Sequence, residues 1–225
     1  MKLSLNHKPV SVILLNWKRP WNLPQVIQSL QAYEFVKQIL VFDNSGCFEM
    51  DGVEVIQSSV NVCTYGRFLA VQQAQYDIIY TQDDDVVVHN VEALYDRFLG
   101  HQERITAGLS GGHYNVEAGR TPWILMGWGS FFLKEWVKVL DRYISEYGED
   151  TVLHRKADRI FTALHGKHDP VPGSFTRLNN PDGKRSDRDS SSLWLKSDHG
   201  RLTMESIARV KYINEKCALH TAETE

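Results

Sequence analysis

The apolar residues at the start of the chain come in short, nearly unbroken runs with polar ends. Val10-Ser11-Val12-Ile13-Leu14-Leu15-Asn16 turns polar only at Asn16, which predicts a buried parallel strand. Gln38-Ile39-Leu40-Val41-Phe42 predicts a second strand running into Asp43-Asn44-Ser45-Gly46, and Val53-Glu54-Val55-Ile56 predicts a short third. Between the first two, Leu23, Ile27 and Leu30 mark one face of a helix, with Asn22 placed to cap it and Pro24 tolerated in its first turn. A second helix is predicted over residues 65–74 and a strand over residues 76–82. Strand and helix thus alternate as far as residue 82, the pattern of a parallel sheet with right-handed crossovers.

The pattern then loosens. Asn90 is placed to cap a helix reaching Leu99, and residues 105–110 read as a strand closed by Gly111-Gly112. Residues 113–117 and 123–126 flank Ala118-Gly119-Arg120 in the manner of a hairpin. Gly127-Trp128-Gly129-Ser130 interrupts the pattern before a helix predicted over residues 133–147, ended by Gly148 and followed by a loop with Glu149-Asp150. Further helices are predicted over residues 156–164 and 202–212. Residues 179–192 are polar, carry no period and read as a mobile loop, and the tail from Thr221 reads as frayed.

One stretch breaks the rule that apolar runs are apolar throughout. In Tyr80-Thr81-Gln82-Asp83-Asp84-Asp85-Val86-Val87-Val88, three carboxylates sit inside a run that otherwise reads as buried strand. Burying one unpaired carboxylate costs several kcal/mol, so a strand does not hold three for stability. The strand is therefore expected to end near Gln82, with the aspartates projecting from its carboxyl end, where open α/β sheets bind ligands. Carboxylates clustered there repel one another unless a hard cation such as Mg²⁺ or Mn²⁺ neutralises them. The plainer alternative is an acidic turn with one aspartate capping the next helix.

Composition narrows this picture only by exclusion. The chain has 225 residues and a formal net charge of −3, so its bulk electrostatics favour neither nucleic acid nor an anionic membrane. Cys47, Cys63 and Cys217 lie far apart without metal-ligand spacing and read as unpaired thiols of a reducing compartment. The first nine residues are too polar for a signal peptide, and no apolar stretch approaches the length of a membrane span.

Other strand ends carry candidate chemistry. After the first strand, Trp17 offers a stacking face, and Lys18 and Arg19 offer charge for a diphosphate, or they are a surface pair beside a half-buried indole. After the second, Asp43 and Asn44 either hydrogen-bond a base or ribose or make a simple Asx-type turn. Arg67, before the acidic strand, reaches a phosphate or pairs with an aspartate. Trp123 and Trp128 are candidates for stacking on a sugar or for core packing.

These segments resemble, in one order along the chain, a GT-A glycosyltransferase of the exostosin-like group, which includes the α-N-acetylhexosaminyltransferases. They are Trp17-Lys18-Arg19, Val41-Phe42-Asp43-Asn44-Ser45-Gly46, Gly66-Arg67-Phe68 and the triplet Asp83-Asp84-Asp85, which stands where that group has its DXD motif. Gly127-Trp128-Gly129-Ser130-Phe131-Phe132, Lys156-Ala157-Asp158-Arg159-Ile160 and Leu193-Trp194-Leu195-Lys196-Ser197-Asp198-His199 extend the resemblance to about residue 210. It implies an α/β GT-A (nucleotide-diphospho-sugar transferase) fold, with a mostly parallel central sheet flanked by helices. It implies a single domain over residues 1–225, with a nucleotide-binding half near 10–88 and an acceptor-binding half near 89–216. It also implies metal-dependent transfer of a hexose or N-acetylhexosamine from a UDP-sugar to a glycan or glycoconjugate hydroxyl, with retention.

Residue by residue, the resemblance makes Asp85 the main Mn²⁺ (or Mg²⁺) ligand, puts Asp83 at the ribose or metal, and brings Asp84 to the donor sugar. Asn44 and Arg67 would bind the nucleotide, with Lys18 or Arg19 near the diphosphate. Asp158 would be the acid beside the reacting carbon, and His199 would lie near the diphosphate or metal. The group carries an arginine four residues beyond that histidine; here the position is Thr203, with Arg201 the nearby cation. Two rivals remain at this level. A sugar-1-phosphate nucleotidyltransferase would show a glycine-rich loop where Asn16-Trp17-Lys18-Arg19-Pro20 has no glycine; a non-catalytic glycan-binding module would bind UDP no more tightly with Mn²⁺. With no anchor or secretory signal, a cytoplasmic location is expected, pointing to a microbial or viral source.

Overall fold

The computed structural model describes residues 7–109, 124–185 and 192–222. Its main sheet runs β3-β2-β1-β4-β7-β6-β8. The strands are β1 (Val10–Asn16), β2 (Val36–Asp43), β3 (Glu54–Gln57), β4 (Ile78–Gln82), β6 (Ile105–Leu109), β7 (Ser130–Leu133) and β8 (His168–Pro172). A separate two-stranded ribbon pairs β5 (Val86–Val88) with β9 (Phe175–Arg177) antiparallel. The helices are α1 (Leu23–Gln31), α2 (Gly66–Val71), α3 (Val91–Gly100), α4 (Leu140–Tyr147), α5 (Thr151–His165) and α6 (His199–Ala222).

β1 sits between β2 and β4, parallel to both, and every one of its residues is buried. That burial on both faces is why its sequence reads as a continuous apolar run. Alternate side chains then serve opposite cores. Val12 and Leu14 join the cluster containing Leu23, Ile27, Val91 and Phe98, from α1 and α3. Ile13 and Leu15 join the cluster containing Phe68, Phe161, Leu202 and Val210, from α2, α5 and α6. The sheet is parallel except at β7, which runs antiparallel to β4 and β6. The parallel strands β1, β2 and β4 end together at Asn16, Asp43 and Gln82.

Several expected elements take other forms. The helix expected over residues 133–147 is a strand, β7, then a 3-10 turn at Lys134–Val139, and only then α4. The helix expected over residues 65–74 is a 3-10 turn at Cys63–Tyr65 leading into the short α2. Asn22 and Asn90 precede helices as expected, yet neither side chain caps one. Asn90 instead spans to the ribbon, donating to Pro172 O at 3.1 Å and accepting from Ser174 N at 3.1 Å. The cap that does form is at Asp150, which accepts from Leu153 N and starts α5 five residues before the expected helix. β8 and β9 were not foreseen. The hairpin over residues 113–126 lies mostly outside the described residues, as do Trp123 and residues 186–191 of the loop. No helix among the described residues is long and apolar enough to cross a membrane.

Candidate functional site

The turn after β4 is held by backbone at both ends. Asp83 N donates to Gly127 O and Leu178 N donates to Asp85 O, each at 2.8 Å. The Gln82 side chain braces it from below, donating to Val86 O at 2.8 Å and accepting from the Tyr80 hydroxyl at 2.9 Å. A β-carbon at Gly127 would stand 2.0 Å from an Asp83 carboxylate oxygen, so a larger residue there would displace the Asp83 side chain. Gly129 is favoured for a different reason, its φ of +94°, a left-handed conformation that glycine adopts without strain.

Above this turn lies a cavity of about 620 Å³, at the carboxyl ends of the parallel strands and within the size range of ligand sites. Asp83, Asp84, Asp85 and Asp158 all line it. Two arginines each serve a pair of these carboxylates. Arg19 contacts Asp84 at 2.5 Å and Asp85 at 3.4 Å. Arg67 contacts Asp83 at 2.7 Å and Asp158 at 3.0 Å, and also donates to Thr81 at 2.9 Å. Burial pushes Asp158 up to about 7 against the pull of Arg67, and pushes Asp84 up to about 6 against the pull of Arg19.

A basic part of the wall comes from α5 and α6. α5 is kinked at Lys156 (φ −128°, ψ 15°), and Lys156 lines the cavity with Arg155, Arg159 and His199. Lys156 Nζ donates to Thr203 at 2.9 Å and lies 3.0 Å from His199 Nδ1. Arg155 is bound to Asp198 at 2.6 Å. Burial pushes Lys156 down to about 8, helped by Arg159 and Arg155, and burial together with Lys156 lowers His199. Arg177 and Arg185 line the cavity too, Arg177 stacked 5.2 Å from the Trp128 ring centre.

Of the residues expected at a site, Trp17, Arg19, Asn44, Asp83, Asp84, Asp85, Asp158 and His199 line one cavity. Four do not reach it. Arg67 is only 1% exposed and lies behind the wall, so it orients Asp83 and Asp158 rather than touching a nucleotide. Asp43 is fully buried, and its oxygens are taken by Asn16, Ser45, Cys47 and Phe48. Burial works against its charge, but the hydrogen bonds from Ser45 and Phe48 hold it below the ordinary carboxylate range. It is the keystone of its turn. Lys18 is exposed with φ 62°, its ammonium over the Trp17 ring. Arg201 is exposed and pairs with Glu205 at 3.1 Å. Asn44 lines the cavity, but its amide braces the loop, accepting from Val62 N at 2.9 Å and donating to Cys63 O at 3.2 Å.

Arg155, Lys156, Arg159, Arg177 and Arg185 were missed as site residues. The run His154-Arg155-Lys156 just before Asp158 was a usable signal, but regular helix geometry spreads such a run around the axis. Only the kink turns Lys156 inward.

Among the described residues no group of three or more His, Cys, Asp or Glu side chains is placed to hold a metal ion. Each acid of the triplet is paired with an arginine. Asp83 and Asp85 supply hard oxygens at the cavity wall, and the Asp83 side chain is 38% exposed. That suits Mg²⁺ or Mn²⁺, which take one or two carboxylates and complete their shell with water and phosphate oxygens.

No family model and no curated protein matches the chain in sequence. Solved structures match it in shape. Glucosyl-3-phosphoglycerate synthase from Mycobacterium tuberculosis, in complex with Mn²⁺, UDP and glucosyl-3-phosphoglycerate, aligns with TM-score 0.53 at 13% identity over 92% of this chain and 80% of its own. S. aureus TarS 1–349 with UDP-GlcNAc aligns with TM-score 0.54 at 11% identity, over 89% of this chain and 66% of its own. The mannosyltransferase PcManGT from Pyrobaculum calidifontis, with GDP-Man and Mn²⁺, aligns with TM-score 0.51 at 11% identity over 95% of this chain and 76% of its own. This is the GT-A fold. The chain spans 60 to 66% of the TarS 1–349 structures and 37% of the longer TarS structure. Identities this low carry the fold alone.

Proposed function

We propose that this chain is a metal-dependent glycosyltransferase that moves a hexose or N-acetylhexosamine from a UDP-sugar to a glycan or glycoconjugate hydroxyl. What supports the reading is one cleft whose wall has an acidic and a basic part: four carboxylates from the β4 turn and α5, and Lys156, Arg155, Arg159 and His199 from α5 and α6. A metal–diphosphate complex presents a cation to the first part and an anion to the second. The structural neighbours captured with UDP, UDP-GlcNAc, GDP-Man and Mn²⁺ support the same donor class.

Asp85 and Asp83 would hold the divalent ion, which when bound supplies positive charge to the diphosphate. Arg19 pairs with Asp84 and Asp85 and orients them, and Trp17 offers its ring to the nucleotide. Arg67 holds Asp158 at the wall, where its carboxylate stabilises the cation-like anomeric carbon. The exostosin-like resemblance assigns retention. The bond from C1 to the phosphate oxygen breaks, the acceptor oxygen bonds to C1 from the same face, and its proton passes to the departing phosphate.

Calorimetry with UDP, with and without Mn²⁺, tests this. The wild type is expected to bind UDP more tightly with Mn²⁺, and Asp85→Ala to lose that increment. Equal UDP affinity with and without the metal in the wild type would leave a binding module rather than a transferase. A donor screen that reports released UDP then identifies the sugar.

A further inference from the structure

The buried positive charge on the basic wall has no structural need to be there. Lys156 is only 6% exposed, yet its ammonium has no ion pair among the described residues. Its partners are a threonine hydroxyl and an imidazole. The one acid close by, Asp198, is taken by Arg155. The remaining charged neighbours, Arg155 and Arg159 on α5 and His199 on α6, are all basic, and Cys63 faces the same cavity from the 3-10 turn that packs against α5. A largely buried cation set among other bases is disfavoured, and a methionine would fill the space without that penalty. Burial of this kind persists where a ligand supplies the missing anion.

The geometry supports this. The backbone leaves helical values at Lys156 itself, two residues before Asp158, and the Lys156 side chain lines the cavity. Thr203 fixes the ammonium from α6.

We propose that the Lys156 ammonium, held between Thr203 and His199 at the kink of α5, binds the second phosphate of the donor and carries the positive charge its departure requires. This rests on the reading of the cleft as a sugar-nucleotide site. Lys156 forms no covalent bond. It contributes one charge-assisted hydrogen bond to an oxygen that gains negative charge as the C1–O bond breaks.

The test measures binding of inorganic pyrophosphate and of UDP to the full chain in the wild type, Lys156→Met and Lys156→Arg, with melting curves for each. Losing a hydrogen bond to a charged group predicts a roughly ten- to hundredfold weaker affinity for both ligands in Lys156→Met. Lys156→Arg should recover most of it, and uridine, which lacks phosphate, should bind all three alike. The ligand-free Lys156→Met protein should melt above the wild type, which a purely structural lysine would not allow. Binding of pyrophosphate and UDP by Lys156→Met at wild-type strength would overturn the assignment. If Lys156→Met failed to fold, Lys156→Arg binding pyrophosphate no better than Lys156→Gln would overturn it equally. Pyrophosphate binding that depends on Lys156, with no wild-type affinity for UDP, would uphold the phosphate site and sink the UDP-sugar reading. A wild type that binds neither would sink both.

Discussion

The two walls of the cleft carry opposite charge by opposite means. On the β4 side, acids are brought together and then shared between guanidiniums, Arg19 across Asp84 and Asp85, Arg67 across Asp83 and Asp158. On the α5–α6 side, a buried lysine is surrounded by further bases and held only by neutral groups. The first wall is a network in which each acid has an arginine partner, although burial still opposes the charge on Asp84 and Asp158. The second is tolerable only as part of a larger protein whose stability exceeds its cost. The difference teaches where to expect stability and where to expect binding: disrupting the acidic network should unfold the protein, whereas neutralising the basic wall should stabilise it and empty it.

That contrast breaks most directly at Arg67. Arg67→Ala leaves Asp83 and Asp158 without their shared cation, and removing one partner from a buried network costs about 3–5 kcal/mol. Urea unfolding measures it; a loss under about 1 kcal/mol would mean the acids do not depend on the pair. The next effect comes from Asp158 alone. Its folded-state carboxyl titrates near 7, above the ordinary value of about 3.9, so between those values the folded state binds more protons than the unfolded chain. Metal-free stability therefore falls as pH rises from about 4 to about 7 and is flat above, by about 4 kcal/mol relative to Asp158→Asn. Transfer that needs the carboxylate rises over the same interval. Parallel pH profiles in the two proteins would show that Asp158 is not the titrating group. The smallest effect is expected at Arg201, outside both walls. Arg201→Ala should change stability by less than about 0.5 kcal/mol and leave UDP affinity alone, since exposed i,i+4 pairs contribute little. A tenfold loss of UDP affinity there would redraw the basic wall.

How much of this was legible in the sequence varies with the physics. β1, β2 and β4 were readable because a strand buried on both faces must be apolar along its length. The end of β4 at Gln82 was readable because three acids cannot stay inside the sheet. β7 was not, because Ser130-Phe131-Phe132-Leu133 is four residues long and runs straight into a 3-10 turn, so no period separates strand from helix. β8 was hidden by Pro170 and Pro172, which an edge strand accepts and a central one does not. The acids of the cleft announced themselves by violating their surroundings. Arg67 and Asp43 had the right neighbours but the wrong exposure, which depends on packing that local sequence does not encode. Lys156 was out of reach because its role rests on a kink.

The two backbone bonds that hold the Asp83–Asp85 turn come from Gly127 and Leu178, both far downstream of it. During synthesis the nucleotide-side strands emerge first, with Arg19, Arg67 and Gln82 already among them. A fragment ending near residue 100 would own every aspartate of the triplet and these local partners, and neither of the two backbone bonds that close the turn. Competence at this cleft is thus a late event in the life of the chain, arriving only when its last third has docked.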